Sequence, residues 1–384
     1  MTGIDVILYK IVSKKRIYDM IRVALIGCGG MAWMYRRVYT RLPDVELTLA
    51  VDVNEFQLQH CLELGAKRVS RHFEDALTDD IDLIDISTPN HLHAEQAIAA
   101  LQSGKHVIIQ KPISNQLVDA DRIVDVAEQS PGLAGMFMSS YNNPLIWELK
   151  RLIDEGYLGT IHTVHARDAH RGGLLAKPGT WRADRNRTGG GSFIQLSIHA
   201  INLIQYWIQD HITEVQAVMQ NRLCPNIGGD DLTACIARFS RGTIGTFVSG
   251  YASDGVERGV YGTRGRFVLS NWDQKLDINL DTPFEGDIIR YTTPRKDLTI
   301  EYKPPAYDDA SNPCNGQRCF IESIRNQTPP TFTVLDGRND LAVVHAVHTS
   351  AANSGSRVSV DRRLLKPKLQ TTIYTATPRN LETV

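Results

Sequence analysis

The residues Gly27-Cys28-Gly29-Gly30-Met31-Ala32 follow directly on an apolar run, Ile21 to Ile26, in the pattern of a buried strand, a tight turn and the start of a helix. In a dinucleotide-binding unit Gly27 makes the turn and Gly29 lets the backbone approach a pyrophosphate. Gly30 and Met31 open a helix whose N-terminus faces the phosphate charge, and Ala32 lets that helix lie close to the sheet. Asp52 ends the next apolar stretch, 25 residues after Gly27. An acid at that distance accepts both hydroxyls of an adenosine ribose and repels a 2′-phosphate, so NAD is expected over NADP. Two further groups suit redox chemistry on an alcohol. Lys111, ahead of Pro112, can hold an ammonium beside a nicotinamide ribose and a substrate hydroxyl, which lowers the cost of alkoxide character. His199, inside the apolar run Phe193 to Ile208, can exchange the hydroxyl proton. Each has an ordinary reading beside it: a common glycine turn, a solvated acid, a surface lysine, a core histidine. His91 and His93 lie two apart on a loop without matched acids or cysteines, so no metal site is expected.

These groups need elements to position them, and the chain from Met20 to Asn142 provides an alternation. Helical patterns cover Met31–Arg41, Glu55–Leu64, Phe73–Leu77, His93–Leu101 and Leu117–Gln129. Strand patterns cover Glu46–Val51, Arg68–Ser70, Ile81–Ile86, His106–Ile109 and Ala134–Ser139. Strands separated by helices of this length imply right-handed crossovers and a doubly wound parallel sheet covered on both faces. Ligands bind beyond the carboxyl ends of such strands. That rule gathers Gly27–Ala32, Asp52, Ser87-Thr88-Pro89-Asn90 and Lys111 along one crevice.

Two stretches at this edge are specific: Ser87-Thr88-Pro89-Asn90-His91-Leu92-His93 and Gly104-Lys105-His106-Val107-Ile108-Ile109-Gln110-Lys111-Pro112. Here the chain resembles the Gfo/Idh/MocA family, the glucose–fructose oxidoreductase and inositol dehydrogenase group, whose members read TPNxxH and then GKHVxxEKP. The resemblance runs from Met20 to the mid-350s. It implies cofactor contacts from Ser87, Thr88, Pro89, Asn90, His93, Gln110 and Lys111, with Lys111 also catalytic. Gln110 stands where the family has a glutamate that supports the lysine. The family's GGxLxDxGxH falls on the run from Gly190 to His199, keeping the histidine but placing Gln195 where the aspartate is usual. A carboxamide can hydrogen-bond a substrate or an imidazole but cannot take a proton, which leaves His199 as the titratable group of the motif. Gln195, Arg182 and Tyr141 are the further candidates for substrate contact.

Past Asn142, Pro144–Asp154 reads as a helix and Thr160–Ala166 as a strand. The stretch His162 to His170 alternates so that its histidines are expected on one face of a sheet. Strands over Glu214–Arg222, Leu232–Phe239, Thr243–Ala252, Arg258–Tyr261 and Arg266–Ser270 predict a large open, mostly antiparallel sheet. Helices are expected over Asp309–Arg325 and Asp336–Asn353, with a last strand over Arg357–Val360. The expected organisation is an extension over residues 1–19, or a natural start at Met20, then a Rossmann domain over 20–142. An α+β domain for substrate binding and oligomerisation follows over 143–363, then an irregular tail over 364–384.

Composition excludes some partners. The chain has 384 residues, 42% hydrophobic and 22% charged, with a net charge of -1, which gives no electrostatic footprint for nucleic acid or an anionic membrane. The six cysteines lack CxxC spacing, so reduced thiols in a cytoplasmic protein are expected. The resemblance implies an NAD-dependent oxidoreductase acting on a secondary alcohol of a sugar, cyclitol or glycoside, with a sugar C3 among the positions implied, assembled as a homodimer or homotetramer through the open sheet. Two other readings stand beside it: a redox-neutral, NAD-assisted glycoside cleavage or epimerisation, and a nucleotide-dependent sugar sensor without turnover. The second gains from the replacement of two carboxylates by Gln110 and Gln195.

Overall fold

The computed structural model describes residues 19–364. The expected extension and tail therefore lie outside the described residues, apart from Asp19 and Leu364. The first part is built on β1 (Ile21–Ile26), β2 (Val45–Val51), β3 (Arg68–Ser70), β4 (Leu83–Ile86), β5 (His106–Gln110) and β6 (Ala134–Phe137). All pair in parallel in the order β3-β2-β1-β4-β5-β6. Their near-continuous apolar residues are what a sheet covered on both faces demands, and every residue of β4 is buried. The covering helices are α1 (Gly30–Tyr35), α2 (Glu55–Glu63), α3 (His93–Gln102) and α4 (Leu117–Gln129). The strand order reverses between β1 and β4, where Ile26 pairs with Ile86. The loops leaving these two strands diverge there and open the crevice that such sheets use for ligands.

The helix expected to Arg41 stops at Tyr35 and tightens into a 3-10 turn over Arg36–Val38. Arg36 is drawn inward there: its guanidinium donates to the Cys28 carbonyl at 3.1 Å and lies 4.0 Å from the Trp33 ring centre.

The second part begins with α5 (Pro144–Asp154), capped by the Asn143 side chain accepting from the Leu145 amide. Its sheet is formed by β7 (Ile161–Ala169), β8 (Ile212–Gln220), β9 (Leu232–Phe239), β10 (Ile244–Gly250), β11 (Gly255–Gly262), β12 (Gly265–Ser270) and β13 (Lys275–Leu280). β14 (Phe284–Glu285) and β15 (Arg290–Tyr291) make a separate hairpin, while β16 (Leu298–Glu301) and β17 (Val358–Ser359) are the outer strands of the large sheet. The nine-stranded order is β16-β13-β12-β11-β7-β10-β9-β8-β17, antiparallel except for the parallel pair β7–β10. That exception arises because the chain leaves β7 for a long excursion through α6 (Arg185–Thr188) and α7 (Ile198–Ile208) before the β8–β9–β10 meander returns beside it.

Along β9 exposed and buried residues alternate strictly, so one face of the sheet is solvent-facing and the other covered. Among the covering helices, α9 (Val334–Ala352) starts at a capping box between Thr333 and Asp336. Just before it, the Met136 amide donates to the Phe332 carbonyl at 2.9 Å, tying the two parts together. One apolar core runs through both, from Ile84 and Ile109 to Trp207 and Phe267, and a second, from Val23 and Leu25 to Ile321, packs the helix that carries Ile321 against the first sheet.

The helix expected from Asp309 begins seven residues later, as α8 (Gly316–Asn326). Pro313 disfavours helix for the residue before it, and Asn315 supplies the cap by accepting from the Arg318 amide at 3.0 Å. The histidines of β7 also do not share a face. His165 has the opposite parity to His162 and His170, and it meets Glu257 on the outer side at 2.9 Å.

Candidate active site

At the crevice, Gly27 adopts φ +84°, and a Cβ there would meet the Ser87 and Thr88 backbone at 2.8 Å. Its amide donates to the Val51 carbonyl at 2.8 Å, and the Ser87 amide donates to the Ile26 carbonyl at 2.7 Å. The ends of β1, β2 and β4 are thus knitted together at a position only glycine fits. A Cβ on Gly29 or Gly30 would meet nothing within 4 Å, so the turn leaves open space on the outer side of its backbone. With six residues, α1 offers a diphosphate its free first-turn N–H groups from Gly30, Met31 and Ala32 rather than a long dipole. Asp52 accepts the Cys28 amide on Oδ2 and the Asn54 amide on Oδ1, each at 2.8 Å. This fixes the carboxylate in place and leaves a lone pair on each oxygen for a ribose hydroxyl. These residues fit a dinucleotide.

The middle of the crevice is held by interactions that the sequence did not reveal. His93 is fully buried, with one ring nitrogen 2.9 Å from the Pro112 carbonyl and the other 2.8 Å from the Thr88 carbonyl. It braces the loop after β4 against the turn after Lys111 and has no nitrogen left for a ligand. Asn90 donates to the Thr188 carbonyl at 2.8 Å, reaching across to the second part. Thr88 donates its hydroxyl to Gln96 at 2.6 Å. Ser87 bonds the Tyr35 hydroxyl and, at 3.2 Å, Asp85, which also accepts from Tyr39 at 2.6 Å. Burial pushes the Asp85 carboxyl up to about 6, against the hydrogen bonds that favour its charged form. An acid in an otherwise apolar strand, and two tyrosines four residues apart, are the signals that could have disclosed this network.

Lys111 leaves β5 across a cis bond to Pro112, its own amide donating to Gln110 Oε1 at 3.0 Å. Its ammonium donates to the main-chain carbonyl of Gln195 at 2.7 Å. Gln195 lies in a widened, π-type turn over Phe193–Ser197 that precedes α7, where a continuous helix was expected. Asp230 organises the start of this turn. Its carboxylate accepts from the Gly191 amide at 3.0 Å, the Phe193 amide at 2.9 Å and the Ser192 hydroxyl at 2.7 Å. A Cβ on Gly191 would sit 1.9 Å from the Asp230 carbonyl oxygen, which explains a glycine there.

Burial and the Arg182 charge pull Lys111 down to about 8, with Asp168 opposing. Burial, then the Lys111 and Arg258 charges, push His199 well below the usual imidazole range, so it is a neutral base at physiological pH. Its Nδ1 is buried without a partner, as is Gln195 Nε2. Buried polar atoms left open beside an ammonium are groups awaiting a polar ligand.

Two members of this group were missed by sequence reasoning. Asp168, on β7, is 5% exposed and accepts from Arg258 Nη2 at 2.6 Å; the other arm of Arg258 donates to Asp273 at 2.5 Å. His170 also feels the Lys111 charge, which adds to burial in lowering its pKa. An acid in an alternating strand was the only hint. Arg182 is exposed and stacks on Trp181 at 4.3 Å, at the rim. The structure does not bring Tyr141 to this group. Its ring packs 4.0 Å from Phe332, and its hydroxyl donates to Asn202 at 2.7 Å within an aromatic cluster. All six cysteines are free thiols. No described helix is long and apolar enough to cross a membrane.

Residues 21–136 match the family model described as an oxidoreductase family with an NAD-binding Rossmann fold, and residues 146–268 match the GFO/IDH/MocA C-terminal domain. The fold and these matches define a Rossmann-type oxidoreductase. The chain is 29% identical over 352 residues to the 1,5-anhydro-D-fructose reductase of Ensifer adhaerens, covering 90% of this chain and 100% of that protein. It is 23% identical over 342 residues to the myo-inositol 2-dehydrogenase of Thermotoga maritima, covering 86% and 96%. A solved structure of levoglucosan dehydrogenase in complex with NADH aligns with a TM-score of 0.79 at 21% identity, over 90% of this chain and all of that one. The chain belongs to the Gfo/Idh/MocA oxidoreductase family.

Proposed function

We propose that the protein is an NAD-dependent dehydrogenase acting on a secondary alcohol or ketone of a sugar, cyclitol or glycoside. The observation that carries this reading is the meeting of a neutral His199 and a cationic Lys111, with unpaired polar atoms around them, beyond the carboxyl end of β5. The bound nicotinamide supplies two-electron hydride chemistry. In the oxidative direction His199 takes the hydroxyl proton, for which a depressed pKa keeps it unprotonated. Lys111 stabilises the developing negative charge on that oxygen. The Gln195 carbonyl aims the ammonium, and its carboxamide Nε2 is free to donate to a second hydroxyl. Asp52 holds the adenosine ribose and disfavours a 2′-phosphate, the basis for NAD over NADP.

Val218, Leu232, Ile236 and Ile244 are exposed together on the outer face of the open sheet, which supports assembly of the protein as a homodimer or homotetramer through that face. Light scattering of Ile236→Lys against the parent tests it.

The activity is tested by following the absorbance of reduced nicotinamide with NAD and a panel of inositols, sugars and glycosides. Accumulation with one of them supports a dehydrogenase. Reduction confined to enzyme-bound cofactor would point instead to a redox-neutral reaction, and cofactor binding without reduction on any substrate would refute the proposal.

A further inference from the structure

We propose that Asp168 supplies, from the sheet, the carboxylate that the helix motif lacks at Gln195, and that its free Oδ2 accepts a second hydroxyl of a neutral polyol substrate beside the one that reacts. This deepens the dehydrogenase reading and rests on it.

Asp168 Oδ1 is taken by Arg258, and Arg258 is locked from its other side by Asp273. Oδ2 has no partner although the residue is 95% removed from solvent, and a carboxylate oxygen left so is costly unless a ligand completes it. Strand parity sets Asp168 on the covered face of the sheet with the buried Val164 and Ala166, the face that α7 and its π-type turn pack against. The ammonium of Lys111 senses its charge.

Charge bookkeeping agrees. Arg258 and Lys111 are balanced by Asp168 and Asp273, with His199 neutral, and Arg182 at the rim is a further cation acting on Lys111. Asp168 is the anion acting on Lys111; Arg182, His170, His199 and Arg258 are the other charged or titratable groups around it. The open atoms are of both kinds: an acceptor on Asp168, donors on Gln195 and on Arg258 Nε, and a nitrogen on His199. Hydroxyl groups both donate and accept, so a polyol suits open atoms of both kinds, whereas a carboxylate or phosphate placed against Asp168 is repelled. Asp168 takes no proton in this scheme. It binds and orients, and it keeps Lys111 protonated.

The test compares the full-length protein with Asp168→Asn, which keeps the shape and removes the charge. The substrates are the best inositol or methyl glycoside for the parent and its deoxy analogue lacking the neighbouring hydroxyl. The parent is expected to prefer the complete polyol by roughly tenfold or more in kcat/KM, and Asp168→Asn to lose that preference. The alkaline limb of kcat/KM should move to lower pH in Asp168→Asn, because Lys111 loses its anion, while the Kd for NADH stays unchanged. Where Asp168→Asn fails to bind NADH, Asp168→Glu serves: the charge remains but Oδ2 is displaced, so the limb stays and the preference falls. Retention of the parent's preference with an unmoved limb in Asp168→Asn, or of the preference in Asp168→Glu, overturns the proposal alone. A parent that binds NADH but oxidises no polyol overturns the dehydrogenase reading as well.

Discussion

Replacing Asp85 by asparagine is expected to stabilise the protein, by an amount that depends on pH. Asp85 is 1% exposed, and burial lifts its carboxyl to about 6, against about 4 for an unfolded chain. A difference of about 2 units at about 1.4 kcal/mol each means that the ionised form costs the fold roughly 3 kcal/mol. The sign follows from the raised pKa. Below pH 4 the group is protonated in both states and costs nothing; as pH climbs from 4 to 6 the unfolded chain releases its proton first and stability falls. Above pH 6 the cost is complete. Asparagine has nearly the same shape: its carbonyl can accept from Tyr39, and its amide can donate to Ser87, the two partners that Asp85 has now. Urea unfolding of parent and Asp85→Asn, repeated between pH 4 and pH 8, reads the difference. The variant should gain up to about 3 kcal/mol at neutral pH and converge on the parent near pH 4. A difference that does not change with pH, or a variant less stable at neutral pH, refutes the reasoning. The charge sits directly beneath Ser87 at the crevice, where a functional site can hold a costly group that packing alone would not select.

Lys111→Met and His199→Gln should each lower kcat by about 10²-fold or more, with NADH binding retained; near-parental rates in either would remove that residue from the chemistry. For the parent, kcat/KM in the oxidative direction should decline with an apparent pKa near 8 as Lys111 loses its proton, and an alkaline limb close to the free lysine value would contradict the burial of its ammonium. Asp52→Ala should weaken NAD and narrow its advantage over NADP, measured as the ratio of their Kd values; an unchanged ratio would take the ribose contact away from Asp52. Gly191→Ala forces a methyl to within 1.9 Å of a backbone oxygen and should disrupt the turn that carries Gln195, read as a drop in thermal midpoint with loss of activity.

The sequence by itself determined what depends on near neighbours. An apolar run entering Gly27 required a tight turn, the alternation of strands and helices required a parallel sheet, and the strands separated by turns after Glu214 required an open, mostly antiparallel one. The helices Leu117–Gln129 and Pro144–Asp154 were legible to the residue because caps and periodicity are local. So were the resemblance and the crevice edge with Asp52 and Lys111 on it. Tertiary structure decided everything that depends on who meets whom. It paired Lys111 with a carbonyl 84 positions away and Asp168 with a guanidinium 90 positions away. It turned His93 into a brace, sent Tyr141 into an aromatic cluster, and set β7 parallel to β10. It also opened a π-type turn where periodicity alone reads as helix. The reason is physical: a turn or a cap is satisfied within a few residues, whereas an open oxygen, a lowered lysine and a neutral histidine exist only once distant strands and helices have excluded water around them.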